Sequence, residues 1–179
     1  MASGISTAAE REFSMKLRDV LTAWQVPGGS EASFSVEQQL SVLLQHRKRE
    51  DRGKGMRSVL HAAFSVALSE YCLEEGLPHP GFVVLDTPVL TYRDAAPIAG
   101  ASEVSDLENV LFDGGDDELL SGSVAAAFYS YLGTSHAGQA IVLENQTPPH
   151  VDAAGCSVIY FTGGIGTGRS GFYPPIRMS

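Results

Sequence analysis

The chain has 179 residues, a formal net charge of −9, 44% hydrophobic residues and 18% charged residues, which predicts one globular domain over residues 1–179. The acidic balance argues against a general nucleic-acid binder, and no apolar run approaches the roughly 20 residues that span a bilayer. We therefore expect a cytoplasmic protein that does not contact a membrane. Cys72 and Cys156 lack ligand spacing, so they predict buried thiols in a reducing compartment.

Residues 10–24 carry apolar side chains at helical spacing, and the Pro-Gly-Gly that follows predicts an N-terminal helix and turn over residues 1–30. Residues 32–44 are ambiguous between a short strand and a polar or helical stretch. Residues 47–55 mix glycines with basic side chains and predict a loop. The clearest helix spans residues 56–75, with a broad apolar stripe and a glycine placed to end it.

Residues 82–85 are a short apolar run that predicts a strand buried on both faces, and residues 140–143 and 157–161 repeat this pattern. Residues 94–117 are acidic and poor in aromatic side chains, which predicts a mobile insertion. A second helix is predicted over residues 118–132. Short apolar strands linked by helices predict an α/β fold with a mostly parallel sheet flanked by helices.

Residues 163–170 match the nucleotide P-loop pattern, except that an arginine replaces the lysine. This motif and the dinucleotide fingerprint that overlaps it both need a helix directly after the glycines, because the N-terminal amides of that helix bind phosphate. The residues that follow, 171–175, include two prolines and predict no helix. We interpret the segment as a glycine-rich surface loop that carries Arg169.

Three polar pieces stand at the ends of predicted elements. A glycine-basic loop opens the helix over residues 56–75, so its amides and Lys54 are placed to meet phosphate oxygens. Asp86 follows a strand, where open α/β sheets bind ligands, and is placed to hold Mg²⁺. Glu144 and Asn145 end another strand and are placed to orient a water. Two plainer interpretations stay open: the loop as a solvated basic turn, and Asp86 as a turn or cap residue.

This order of motifs resembles the C-terminal lobe of ABC-class ATPases of the chromosome-maintenance and RecN/RecF type, and more narrowly bacterial SMC-like proteins. The matching residues are Gly53-Lys54-Gly55, His79-Pro80-Gly81-Phe82, Asp86-Thr87-Pro88, residues 139–145 and residues 168–174. The resemblance implies that Gly53, Lys54 and Gly55 stand where the signature motif contacts ATP on a partner lobe, and Arg57 completes this predicted cofactor-binding set. It also implies that Asp86 is the Walker B acid that positions Mg²⁺.

Some residues depart from the family pattern. The usual signature serine and double glycine are absent, and Thr87 occupies the place of the usual catalytic glutamate. The strand that usually leads to a switch histidine ends in Glu144 and Asn145, so a catalytic role for these two is inferred from their position. His136 and His150 flank that strand in polar surroundings, and we interpret them as surface residues.

The Walker A loop of this family lies in an N-terminal lobe that the resemblance does not cover. We therefore expect Mg²⁺ and ATP to bind only in an assembly with a Walker A-containing ATPase lobe or subunit, and any DNA contact to be made by that assembly. ATP hydrolysis by the chain alone is not expected. Two other functions stay open: a non-enzymatic interaction module that retains the fold, and an unrelated hydrolase that uses Asp86 and Glu144 as an acid/base pair.

Overall fold

The chain combines helices with two small sheets. The computed structural model describes residues 4–89, 122–144, 156–162 and 171. In chain order, the helices and strands of these residues are α1 (Thr7–Ala23), β1 (Ser33–Ser35), β2 (Ser41–Leu44), β3 (Arg47–Lys48), α2 (Lys54–Glu74), β4 (Phe82–Asp86), α3 (Gly122–Thr134) and β5 (Gln139–Leu143). Strands β1, β2 and β3 form an antiparallel sheet, and β4 pairs with β5 in parallel. This mixed content agrees with the predicted combination of helices and strands. The mostly parallel sheet is not seen in the described residues, which contain one parallel pair beside an antiparallel sheet.

Both long helices begin slightly before their predicted starts. Helix α1 begins at Thr7 because the Ser6 side chain caps it, accepting a hydrogen bond of 3.1 Å from the Ala9 amide. Helix α2 begins at Lys54, with Gly53 as its N-cap, so the glycine-basic loop supplies the first turn of the helix. Within the described residues, no helix is both long enough and apolar enough to cross a membrane.

The stretch predicted as a loop over residues 47–55 is partly ordered, so that prediction is wrong. Gln45 and His46 both have positive φ, 50° and 63°, as a two-residue hairpin turn requires. The turn pairs β3 with β2, and a short 3₁₀ helix, Arg49–Asp51, then leads into α2. The ambiguous stretch before it contains the β1–β2 hairpin, in which Phe34 pairs with Val42.

The prediction that β4 is buried on both faces is also wrong. Val83 and Leu85 are buried, whereas Phe82 and Val84 are 42% and 54% exposed. Successive side chains of a strand point to opposite faces, and α2 packs against β4. The neighbouring strand β5 behaves likewise, since Ile141 and Leu143 are exposed while Ala140 and Val142 pack against the core. The parallel pair therefore has one covered face and one open apolar face.

Two further predictions, a strand over residues 157–161 and the burial of Cys156, are wrong. Residues 157–160 form no strand, and Phe161 makes only an isolated bridge, because no described segment pairs along them. Cys72 is buried as predicted, but Cys156 is exposed. The insertion at 94–117, the first residues of the 118–132 helix, the loop at 163–170, Asn145 and His150 lie outside the described residues.

One contiguous cluster of buried side chains joins the helices to both sheets. Helix α1 contributes Leu17, Val20 and Leu21, all fully buried, and it packs along α2. The ring of Trp24 stands edge-on to Phe128 of α3 with 4.7 Å between the centroids. This aromatic contact fixes α3, and hence the start of β5, against the end of α1.

Candidate functional site

The parallel register of β4 and β5 brings two predicted site residues to one edge. Asp86, the last residue of β4, pairs with Leu143, the last residue of β5. Glu144 is the next residue along the chain, so both acids lie at the carboxyl end of the same strand pair. Their side chains point to opposite faces, Asp86 to the open face and Glu144 to the covered face beside Tyr129. This is the edge at which α/β sheets bind their ligands. The sequence indicated that each acid ends or follows a strand, and the register brings both strand ends to one edge.

Thr87, the first residue after β4, holds the turn that follows this strand. The Thr87 hydroxyl donates a hydrogen bond of 3.0 Å to Asp86 Oδ1, and the Thr87 amide donates one of 2.8 Å to the Leu143 carbonyl. Thr87 has a φ of 45°, which is unusual for a β-branched residue. The Asp86 carboxylate is exposed to solvent. It therefore faces outward from the sheet edge rather than into the core.

The first turn of α2 lies beside the same edge. Ser58, in the second turn, donates a hydrogen bond of 3.2 Å from its hydroxyl to the Thr87 carbonyl. Lys54 and Arg57 are exposed, whereas Gly55 is buried. The N-terminus of a helix carries a partial positive charge, which attracts anions. The Ser58 contact thus holds the N-terminal part of α2, which carries two exposed cationic side chains, against the turn that follows Asp86.

Between residues 47 and 57, most of the basic side chains other than Lys54 and Arg57 make structural contacts. Fewer side chains therefore remain to contact an anion. Arg52 is buried and donates a hydrogen bond to the Leu44 carbonyl. Arg47 donates one of 2.7 Å to the Asp51 carbonyl, and an Arg49 guanidinium nitrogen lies 3.0 Å from His61 Nδ1. These side chains tie the β2–β3 hairpin to the approach of α2. These basic residues therefore hold the local structure together in addition to carrying positive charge.

Tyr129 is a site residue that sequence reasoning missed. Its hydroxyl donates a hydrogen bond of 3.1 Å to Glu144 Oε1. Burial, the negative charge of Glu144 and this hydrogen bond all raise the pKa of Tyr129, so the phenol stays a neutral donor. Its ring stands edge-on to Phe128 at 4.9 Å. Apolar spacing marks α3 as a helix, but no local signal distinguishes Tyr129 from a packing residue.

The opposite end of α2 holds a second polar cluster, formed by Glu70, Tyr131 and His136. The Tyr131 hydroxyl lies 2.8 Å from both Glu70 oxygens, and His136 Nδ1 lies 2.9 Å from Glu70 Oε1. The His136 side chain is fully buried, so its interpretation as a surface residue is wrong. Glu70 is more than four helical turns beyond Lys54, about 24 Å away. This cluster therefore stands apart from the carboxylate edge.

The donor atoms at the carboxylate edge suit a hard cation that binds few protein ligands. Within residues 4–89, 122–144, 156–162 and 171, no three His, Cys, Asp or Glu side chains group as a metal site. The exposed Asp86 carboxylate and the Thr87 hydroxyl offer oxygen ligands. Mg²⁺ takes one or two carboxylates and completes its shell with water and phosphate oxygens. The described residues of this edge supply one exposed carboxylate and one hydroxyl, and they do not form a closed protein cage.

Comparison of the chain with protein-family models, curated proteins and solved structures gave no match.

Proposed function

We propose that this chain is the Walker B lobe of an SMC-like ATPase, which contributes Mg²⁺ and phosphate contacts to ATP held by a partner lobe. One observation carries the proposal: β4 ends in Asp86, β5 is followed by Glu144, and Ser58 of α2 bonds to the Thr87 carbonyl, all at the carboxyl edge of one parallel strand pair. An acid for the metal, a second acid and a cationic helix N-terminus are the groups that phosphoryl transfer requires from such a lobe.

The fold supports this proposal at the level of one βαβ-like unit. Strands β4 and β5 are adjacent and parallel, α3 lies between them in the chain, and α2 packs against one face of β4. In the proposed lobe, this pair is the centre of a mostly parallel sheet flanked by helices. The open face of the pair is where further sheet or helix would pack in the complete assembly.

Each residue of the edge has a role in the proposed function. Asp86 holds Mg²⁺, which when bound would neutralise charge on the phosphates. Glu144, oriented by Tyr129, positions the attacking water. Lys54 and Arg57 are exposed and lie at the helix N-terminus, so they face phosphate oxygens presented by a partner. Gly53, the N-cap of α2, has no side chain and would let the phosphates approach the helix N-terminus closely, whereas Gly55 is buried and takes no part in the proposed contact.

The open apolar face is the surface at which we expect the partner lobe to dock. Phe82 and Val84 of β4 share this face with Ile141 and Leu143 of β5, and all four are exposed. Asp86 lies on the same side of the strand, two residues beyond Val84. A lobe that covers the apolar face would therefore end beside the Asp86 carboxylate. We propose that this partner carries the Walker A loop, and that DNA is contacted by the complete assembly.

The same face also favours a second function, a non-enzymatic interaction module that retains the lobe fold. Exposed apolar patches mark protein interaction sites whether or not chemistry follows. The two functions differ in what Asp86 does. In the ATPase its charge is essential for turnover, whereas in the module it is a turn residue at the rim of an interface.

The decisive experiment substitutes Asp86→Asn and measures turnover in a reconstituted assembly. The chain is co-purified with a Walker A-bearing lobe or subunit, and steady-state ATP hydrolysis is followed in Mg²⁺. We expect Asp86→Asn to reduce kcat at least about a hundredfold, because the metal loses its charged ligand. The control is Asp19→Asn, an exposed acid on α1, which should keep wild-type turnover.

A binding measurement on the chain alone and two outcomes of the reconstitution complete the test. The chain alone should bind Mg-ATP no more tightly than roughly millimolar, which calorimetric titration measures. Wild-type turnover with Asp86→Asn would remove Asp86 from the metal site. A stable complex that forms with no nucleotide dependence and hydrolyses nothing would favour the interaction module.

A further inference from the structure

Strand β1 lies at the edge of the antiparallel sheet, because the strand order is β1-β2-β3. Phe34 pairs with Val42 of β2, yet its amide bonds to a residue of α1. Successive residues of an antiparallel strand direct their backbone groups alternately to either side. The outward groups of β1 and its flanks therefore belong to residues 32, 34 and 36. A strand edge of this kind, if left unpaired, is a template for pairing with another chain.

Side chains of α1 take the place of a neighbouring strand at this edge. The Phe34 amide donates a hydrogen bond of 3.0 Å to Ser14 Oγ, and the Val36 amide donates one of 3.2 Å to Glu10 Oε1. The Ser14 hydroxyl donates to the Glu10 carbonyl at 2.8 Å, so its oxygen is left to accept from β1. Ser14 and Phe34 are buried, 6% and 8% exposed, so the protein rather than water must supply these partners.

Arg18 completes the row of contacts along the edge. Its Nε donates a hydrogen bond of 2.6 Å to the Ala32 carbonyl. Residues 10, 14 and 18 lie on one face of α1 at intervals of about 6 Å. Alternate residues of a strand are about 6.8 Å apart, which nearly matches this interval. The helix therefore presents polar side chains at the period of a strand, and in the antiparallel direction, because residues 10, 14 and 18 meet residues 36, 34 and 32.

The opposite edge of the same sheet is protected in a different way. Strand β3 has only two residues, Arg47–Lys48, and both are basic. The chain then turns directly into the 3₁₀ helix Arg49–Asp51. Short edge strands and charged side chains are common protections against strand addition. Strand β1 has neither charge nor a glycine or proline, and the apolar Phe34 stands at its centre.

We propose that Glu10, Ser14 and Arg18 of α1 close the β1 edge against strand addition by a second copy of this chain. Apolar residues of α1 hold the helix on the core, and these three polar side chains give the outward backbone groups of β1 partners within the same chain. The inference goes beyond the proposed ATPase function and does not rest on it, because none of the three residues belongs to the carboxylate edge.

The test measures amide hydrogen exchange and sedimentation velocity on the full chain and on the double variant Glu10→Ala/Ser14→Ala. This variant removes both side-chain acceptors and keeps the apolar contacts of α1. In dilute protein the Phe34 and Val36 amides should exchange at least about tenfold faster than in wild type, because their partners are gone. Without these bonds α1 separates from β1 more often. At high protein concentration the variant should therefore form oligomers that wild type does not form, and both amides should regain protection in them.

Glu12→Ala/Ser30→Ala is the matched control, since it changes the same residue types and the same charge at exposed positions. It should equal wild type in both measurements. Glu10→Gln keeps an acceptor oxygen, so exchange of the Val36 amide should stay within about threefold of wild type. If the double variant unfolds, Glu10→Ala alone takes its place, with exchange measured at the Val36 amide.

Faster exchange in dilute protein, together with oligomers that protect the β1 amides again, supports the proposal. Faster exchange with no new oligomers at any concentration overturns it and leaves the α1 side chains a role in packing alone. Oligomers in which the β1 amides stay unprotected also overturn it, because association then uses another surface. Unchanged exchange would show that the side-chain hydrogen bonds do not close the edge.

Discussion

At the scale of single residues, the basic side chains around the start of α2 divide into two kinds. Arg47, Arg49 and Arg52 contact neighbouring backbone or side-chain atoms of the hairpin and of α2. Lys54 and Arg57 are exposed on the first turn of the helix. Substitution of an exposed residue rarely changes stability by more than about 0.5 kcal/mol. An effect of Lys54 must therefore be sought in binding.

Lys54→Ala should weaken association across the proposed interface and leave the folded chain unchanged. Because Lys54 is exposed, we expect Tm to stay within about 2 °C of wild type. In the reconstituted pair, light scattering with a non-hydrolysable ATP analogue should show weaker association, since a phosphate contact is lost. The control is Arg11→Ala, an exposed cation on α1. Equal association of wild type and Lys54→Ala would identify the loop as a solvated basic turn.

At the scale of elements, the Glu70 cluster joins α2 to α3 and to the turn before β5. Glu70 is 6% exposed, and its carboxylate accepts from Tyr131 and lies within hydrogen-bonding distance of His136. A buried carboxylate is costly unless such partners surround it. The Tyr131 ring also lies edge-on to Trp24, at 6.3 Å. The cluster therefore fixes the position of α3 and the register at which β5 reaches β4.

Tyr131→Phe should destabilise the fold by about 1–3 kcal/mol, because Glu70 loses a donor while the aromatic packing stays. Chemical denaturation measures this free energy of unfolding. Burial, then the hydrogen bond and charge of Glu70, raise the pKa of Tyr131. Because the pKa of Tyr131 is higher in the folded state than in the unfolded state, its contribution to stability is complete below the unfolded pKa of about 10. That contribution is lost as pH rises above this value. Wild type should therefore lose more stability than Tyr131→Phe in that alkaline range.

Tyr71→Phe is the matched control for this element. Its hydroxyl makes only a long hydrogen bond of 3.4 Å to Glu12, at the surface, so its loss should leave the unfolding midpoint nearly unchanged. If both tyrosine variants behave alike at neutral pH, the Glu70 cluster does not hold α3 in place.

At the scale of the whole molecule, the β4–β5 pair separates a covered face from an open one. Val83 is 7% exposed and Val84 is 54% exposed, although they are neighbours with the same side chain. The open face adjoins Asp86, so its apolar character and the candidate site belong to one surface. Such a surface is typical of a docking site for another polypeptide.

Replacing each of these valines by threonine tests the two-faced sheet. Val83→Thr places a hydroxyl in the core and should lower the free energy of unfolding by about 1–3 kcal/mol. Val84→Thr should change it by less than about 0.5 kcal/mol, because the site is exposed and threonine suits a strand. Urea denaturation of both variants measures the difference. In the reconstituted assembly Val84→Thr should weaken partner binding. Equal destabilisation by the two substitutions would mean that both faces of the pair are buried.

Local sequence patterns determined much of this molecule. Apolar side chains at helical spacing located α1 and α2 to within three residues at each end, and short apolar runs located β4 and β5. Asp86 and Glu144 were placed at strand ends because a proline or polar residues follow each run. These features depend on neighbouring residues alone, so periodicity and turn chemistry reveal them.

Only the tertiary structure decided how these pieces meet. The parallel register places Asp86 beside Leu143, which brings Asp86 and Glu144 to the same edge of the strand pair. The open face of the strands, the burial of His136 against Glu70 and the hydrogen bond from Tyr129 to Glu144 all depend on contacts between residues far apart in the chain. An apolar run is the same whether one face or both are covered, and a histidine in a polar loop gives no sign of a buried carboxylate. Packing supplies that information, because it sets which long-range partners each side chain reaches.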